Sequence, residues 1–262
     1  MIGIVGIPSG EQIDTDINQF QMINEAGILT YDSMYKCFTF KDKEYQKVLN
    51  ILKYHSQDDL NSTIVNFLNN QNIFKYNVLN DGSVNVYQDV RLKLDSGKIP
   101  IKFNKVNGDF NVSNNQLETL LGCPNYITGD FIASNNNIQT LKYGPSIVKG
   151  DYDVRRCLLE NLDGSPKSIG MDFIASYNNI TNLKNGPLDV GGSYLVNNCH
   201  LNSLEGSPEV IIEDFSCRCN FLKTLVGGPF TVNGEYDLSI NLIDYETFIK
   251  EKKLLTVRRY MF

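Results

Sequence analysis

The 262-residue sequence predicts an α+β protein: a small helical or mixed N-terminal domain, then a solenoid of short parallel strands closed by a C-terminal helix. Three observations carry this. A motif recurs every 21 residues through the second half of the chain. Within it, apolar positions alternate as they do along a strand, whereas the residues ahead of it show helical spacing.

The motif begins at Gly108, Gly129, Gly150, Met171, Gly192, Glu213 and Gly234, seven copies without an insertion, with the consensus G-D-F-x-V-S-x-N-x-L-x-x-L-x-G-x-P-x-x-V-x. Position 3 is aromatic in every copy (Phe110, Phe131, Tyr152, Phe173, Tyr194, Phe215, Tyr236), and position 5 is small or apolar (Val112 through Leu238). Two positions apart on a strand means one face, so both columns point into the coil. Position 8 is Asn or Cys, from Asn115 to Asn241, which suits a ladder bonding to backbone groups where the chain turns away from the sheet. Position 10 is Leu or Ile and position 13 is Leu, while position 17 is Pro in all six full copies. That proline predicts a return path of turns, short 3₁₀ pieces and extended segments, with Val or Ile at position 20 re-entering the core. One copy cannot bury its apolar side alone. Stacking makes the core continuous.

The flanks differ. Residues 78–107 form a lead-in cap, with Asp81-Gly82 as a tight hairpin turn and Gln88–Leu92 as a degenerate first copy. After residue 243, Asp244 is placed to N-cap a helix through Tyr245, Phe248, Ile249 and Leu255, and residues 244–262 close the array. Residues 1–77 are a separate small domain, with helical spacing over Glu44–His55 and Asp58–Gln71 and turn-rich sequence before that.

The repeat spacing resembles leucine-rich repeats, L-x-x-L-x-L-x-x-N/C-x-L, with aromatics replacing one leucine and the first leucine column displaced. The run Gly129-Asp130-Phe131-Ile132-Ala133-Ser134-Asn135-Asn136-Asn137-Ile138-Gln139-Thr140-Leu141, and the lead-in from Leu79 to Val86, look like the short-repeat proteins of large tailed bacteriophages. The resemblance covers about residues 78–243. It implies a leucine-rich-repeat solenoid, and a protein working in the cytoplasm of an infected bacterium on a host or phage protein, a host defence included.

Charge narrows the function classes. Residues 108–243 hold 8 basic and 15 acidic groups, a net of −7, against −1 for residues 1–107 and +2 for the tail. Nucleic-acid affinity rests on cationic neutralisation of phosphates, so this array is poorly suited to it. No run of about 18 apolar residues suggests a membrane span, and the N-terminus lacks a secretory pattern, so a cytoplasmic location with reduced cysteines is expected.

Several motifs invite chemistry and fail on their surroundings. Gly3, Gly6 and Gly10 lack a Gly-Lys-Ser/Thr ending and read as turns. Asp14 and Asp16 lack a third group for acid–base or metal work and read as turn or surface. Cys199, His200, Cys217 and Cys219 suggest zinc, but without a C-x-x-C pair they read as structural. A Cys199–His200 dyad is refused because adjacent residues diverge. The acidic row at position 2 (Asp109, Asp130, Asp151, Asp172, Ser193, Asp214, Glu235) reads as turn capping or a solvated edge rather than a calcium row. No cofactor, metal site or catalytic residue is therefore assigned.

Outward positions are the informative ones, because the scaffold does not dictate them. Positions 4, 6, 7 and 9 bring together Asp153, Arg155, Arg156, Leu158, Ile174, Tyr177, Leu195, His200, Arg218 and Phe221 across copies three to six. Arginine, tyrosine and exposed apolar side chains anchor interfaces, although scattered surface residues of these types are also ordinary. The expectation is a non-catalytic protein-binding module with this patch as its surface. Three other readings stay open: an enzyme or effector centred on residues 1–77 and targeted by the repeats, a nucleic-acid adaptor, and a self-assembling structural protein.

Overall fold

The computed structural model describes the strands Gly3–Gly6, Gln12–Thr15, Leu29–Asp32 and Cys37–Phe40, and residues 61–254 and 256–261. The chain divides into two units, Met1–Phe67 and Leu68–Phe262.

In the first unit the four strands make one sheet. Gly3–Gly6 and Cys37–Phe40 run parallel at its centre, and Gln12–Thr15 and Leu29–Asp32 pair antiparallel on the outside. Gly3 and Gly6 are thus strand ends where turns were expected, and Asp14, expected at a turn or surface, pairs with Ile4 from the edge strand. The apolar pair Ile4-Val5 outweighs its flanking glycines. Gly10, Asp16 and the helix read over Glu44–His55 lie outside the described residues.

A helix over 61–70, within the span read as helical, buries Ile64 and Leu68 one turn apart. It ends at Asn72, whose left-handed backbone (φ 58°) lets Ile73 N–H return to the Leu68 carbonyl. The antiparallel hairpin of Tyr76–Val78 and Val84–Val86 follows, with Gly82 at φ 76° in its turn. Asp81 accepts from the Ser83 amide and hydroxyl and from Lys102, bonds that hold its carboxyl down to about 2.

The array itself is a parallel-strand solenoid with 21-residue coils, here numbered one to seven from Gly108. Position 3 strands stack from Val90–Arg91 through Phe110–Asn111 to Phe215–Ser216 in register, each aromatic opposite the next. Every position 3 aromatic is fully buried, as is the position 5 column. The backbone ladder runs past the two-residue strands, since the position 7 amide also donates to the next coil, as Tyr177 does to Asn197.

The return path holds more order than turns. Phe103–Val106, Tyr126–Ile127, Ile147–Val148, Ser168–Ile169 and Asp189–Val190 build a second parallel ladder. Pro at position 17 lacks an N–H, but the strand begins two residues later, where donors return, and buries the β-branched side chain at position 20. The long strand Thr231–Asp237 pairs with both Val210–Ile211 and Phe215–Ser216.

The C-terminal cap is a helix and a strand. Asp244 accepts from Thr247 N–H at 2.9 Å and starts the helix Tyr245–Glu251, as its position predicted. The helix stops sooner than the sequence suggested, turns 3₁₀ over Lys252–Leu254, and gives way to the strand Thr256–Met261, with Leu255 outside the described residues. That strand lies parallel on Thr231–Asp237, placing Tyr260 opposite Tyr236 as one more ring in the column. Glu251 fastens the helix by accepting from Leu225 N–H at 2.6 Å and from the Thr224 hydroxyl.

Inside the array the structural repeat is two coils, not one. Ring centroids lie close within the pairs Phe131–Tyr152 (4.9 Å), Phe173–Tyr194 (4.8 Å) and Phe215–Tyr236 (5.0 Å). Between pairs they are wider, 6.0 Å for Tyr152–Phe173 and 5.7 Å for Tyr194–Phe215. Each tyrosine hydroxyl faces a glycine at position 16 of the preceding coil: Gly144, Gly186 and Gly228. The phenylalanines instead follow coils with Cys123, Ser165 and Ser207 at that position. Small Ala or Cys accompanies Phe131, Phe173 and Phe215 at position 5, and Val or Leu accompanies these tyrosines. Volume is exchanged between columns, which keeps the interior close-packed.

Candidate functional site: an arginine and aromatic rim

Before a rim can carry function its scaffold must be satisfied, and here three columns do that work. At position 8, Asn136 donates to the carbonyls of Val112 and Ala133 and accepts from the amides of Asn115 and Leu117. Asn220 repeats the pattern in full, and Asn178 and Asn241 repeat both donations while accepting from the amides of Leu159 and Leu222. Cys157 and Cys199 keep the donor half of it, their thiols directed at the carbonyls of Ala133 and Ala175. Burial pushes both thiols up to about 11. Cys217 lies in the position 5 core, and Cys219 is only partly exposed at position 7. Among the described residues, no group of three or more His, Cys, Asp or Glu side chains gathers as for a metal ion.

The acidic row at position 2 caps backbone. Asp109, Asp130, Asp151 and Asp172 each accept, through Oδ1, the amide of the matching residue one coil on, at 2.7–3.0 Å. Asp89 starts the series on Asp109, and Asp214 continues it on Glu235. Glycine at position 1 belongs to the same device, since a Cβ on Gly129 or Gly150 would strike the capping carboxylate of the coil below.

Each coil then leaves the first ladder by one turn. Position 7 has a left-handed backbone in all seven copies, with φ between 52° and 62°. Among residues other than glycine, Asn tolerates that region best, and coils one, two and five carry it as Asn114, Asn135 and Asn198. The other four place Arg156, Tyr177, Cys219 and Ile240 there, at a cost of roughly 1 kcal/mol each. Burial does not repay this for Arg156, Tyr177 or Ile240, all exposed, Tyr177 by 46% and Ile240 by 65%. Position 9 stands beside this column and is exposed in every coil, with Leu158, His200 and Phe221 among its members.

The structure joins most of the sequence-predicted patch along this rim. The Arg156 guanidinium lies 4.4 Å from the centroid of the Tyr177 ring, and His200 stacks on Phe221 at 5.9 Å with planes 2° apart. Arg155 and Arg218 are exposed at position 6. Asp153 is a correction: it is buried, and its carboxylate accepts from the Arg155 amide at 3.1 Å and from Arg155 Nε at 3.0 Å. Side chains at position 4 close the turn onto position 6, as Asn111 does with Ser113 and Asp237 with Ser239, and so sink toward the sheet. Ile174 and Leu195, also at position 4, are half-buried for the same reason of place.

Sequence reading stopped the patch at coil six. Ile240 and Leu242 extend both columns, and Tyr245 at the start of the capping helix is exposed as well. The signal was available, because they occupy positions 7 and 9 of the last copy and the residue after its cap. A second exposed apolar group, including Leu188, Val210 and Phe230 beside the other ladder, is interrupted by Lys167, Asp189 and Glu209.

No helix among the described residues is long and apolar enough to cross a membrane. Compared with known proteins, the chain matches no family model, no curated protein and no solved structure.

Proposed function

We propose that this chain is a non-catalytic protein-binding module whose contact surface is the rim formed by positions 6, 7 and 9 of coils three to seven. One observation carries the reading. Arg156, Tyr177 and Ile240 occupy left-handed backbone positions that Asn fills at lower cost elsewhere, and their side chains are exposed. Strain that folding does not reward is characteristic of functional positions. Exposed Leu158, Phe221 and Leu242 beside them supply the apolar and aromatic area that anchors protein interfaces. The period and the Asn/Cys ladder favour a leucine-rich-repeat type, and the phage-like run at 129–141 makes a bacterial or phage protein the partner to seek.

The test is affinity capture from bacterial and phage-infected lysate, with wild-type protein beside a Leu158→Ala, Tyr177→Ala, Phe221→Ala variant of matched circular dichroism. A protein retained by the first and lost by the second establishes the rim as the surface. Equal retention places binding elsewhere on the chain, and absence of any captured protein removes this reading in favour of assembly or an activity of residues 1–77.

A further inference from the structure

Resting on that reading, we infer that the partner presents an extended acidic segment, with carboxylates flanking an apolar or aromatic side chain. The first argument is charge. Coils one to seven hold 15 acidic and 8 basic groups, yet positions 6, 7 and 9 carry three arginines and no Asp or Glu in any copy. The carboxylates are concentrated elsewhere, five of them committed to the position 2 caps at the other end of the strand. Asp153 offsets Arg155 from position 4, and Arg156 and Arg218 keep the rim basic on an otherwise acidic solenoid, complementary to an acidic partner that the rest of the array repels.

The second argument is preorganisation. Arg155 spends its Nε–H on the buried Asp153 carboxylate at 3.0 Å, while its side chain stays 49% exposed, so the guanidinium is aimed with its outer nitrogens at the rim. Arg156, the next residue, is held by the Tyr177 ring. Guanidinium groups fixed in this way lose little freedom on meeting a carboxylate, and their planar donor fork matches its two oxygens. Tyr177 in coil four and His200 in coil five lie between these arginines and Arg218, and with Phe221, on which His200 stacks, they form the apolar seat.

The third argument is spacing. Arg155 and Arg218 occupy the same position three coils apart, roughly 14 Å at about 4.8 Å per coil. An extended peptide rises about 3.3 Å per residue, so carboxylates about four or five residues apart reach both arginines with the apolar residue between them. Three cations are too few to track a polyphosphate past a net charge of −7.

The experiment pans a displayed library of random 16-residue peptides against the full chain and measures enriched peptides, and an oligo(dT) strand of 20 nucleotides, by fluorescence anisotropy. Enriched sequences with two carboxylates about four or five residues apart around an aromatic or aliphatic residue are expected. Their affinity should fall at least tenfold in the Arg156→Ala, Arg218→Ala variant and recover partly in Arg156→Lys, Arg218→Lys. This pair leaves the Asp153–Arg155 contact intact, so a fold defect does not imitate the result. Enriched peptides without an acidic bias, lost on Tyr177→Ala, Phe221→Ala, overturn the acidic partner while the protein-binding reading survives. Absence of any enriched peptide overturns the extended acidic partner, and salt-sensitive binding of the oligonucleotide alone overturns both.

Discussion

The hydroxyl of Tyr194 sits where a side chain on Gly186 would have to go: a Cβ there would lie 2.8 Å from the phenol oxygen and 2.8 Å from Leu162 Cδ1. Gly186 has no left-handed backbone to explain it, so its role is space alone. Gly186→Ala is expected to cost about 1–3 kcal/mol in chemical denaturation, the usual range for overpacking. Tyr194→Phe in the same chain should return part of that loss, with a coupling of at least about 0.5 kcal/mol. Strictly additive costs would show that Leu162, not the hydroxyl, sets the limit.

Removing an asparagine from the ladder should be among the most damaging single changes. Asn136→Ala strands the Asn115 and Leu117 amides and the Val112 and Ala133 carbonyls in the interior. Each stranded group costs about 1–3 kcal/mol, so a loss of about 3 kcal/mol or more is expected in urea titrations. Asn136→Cys should cost less, because Cys157 and Cys199 already fill this position in neighbouring coils.

Strain at the rim makes a prediction of opposite sign. Tyr177→Asn and Ile240→Asn should each stabilise the protein by roughly 1 kcal/mol, a rise of about 2–4 °C in melting temperature, while weakening partner binding. For Tyr177 a lower melting temperature would mean that its contact with Arg156 outweighs the backbone penalty. Ile240 has no such ring contact and isolates the backbone effect.

Alkaline pH should unfold the array through its buried thiols. Cys157 and Cys199 are pushed up from 9.0 to about 11, mainly by burial, so folding favours the neutral thiol. The stabilisation is full below about pH 9 and declines as pH rises toward 11, at roughly 1.4 kcal/mol per pH unit and thiol at most. Tyr152, Tyr194 and Tyr236, raised by burial too, act in the same direction. Urea midpoints measured under reducing conditions at pH 8, 9, 10 and 11 should fall, and less steeply in a Cys157→Ala, Cys199→Ala variant than in wild type. An unchanged midpoint would mean that neither group is shielded in the folded chain.

The rim shows how far a site can be read without coordinates. The exposure of Arg155, Arg156, Leu158, Tyr177, His200, Arg218 and Phe221 was legible, because a repeat marks as outward any position that departs freely from its own consensus. Asp153 was misplaced: parity puts position 4 outward, but in a two-residue strand the turn to Arg155 folds it back under cover. The left-handed backbone under Arg156 and Tyr177 was hidden as well, since their side chains are not the usual signs of it.

The sequence by itself determined what recurs: the 21-residue period, the inward aromatic column, the Asn/Cys ladder and the helix cap at Asp244. These depend on local chemistry repeated in phase, so each copy testifies for the others. Only the tertiary structure decided what depends on one coil meeting the next. The second ladder forms because backbone donors beyond each proline find the preceding coil, and the strand Thr256–Met261 exists because the last edge offers it partners. The pairing of coils needs the Tyr152, Tyr194 and Tyr236 hydroxyls to find glycines in the coil before, a relation of volume rather than of pattern. Periodicity records which side chains face inward, while contact between neighbouring coils decides how closely they fit.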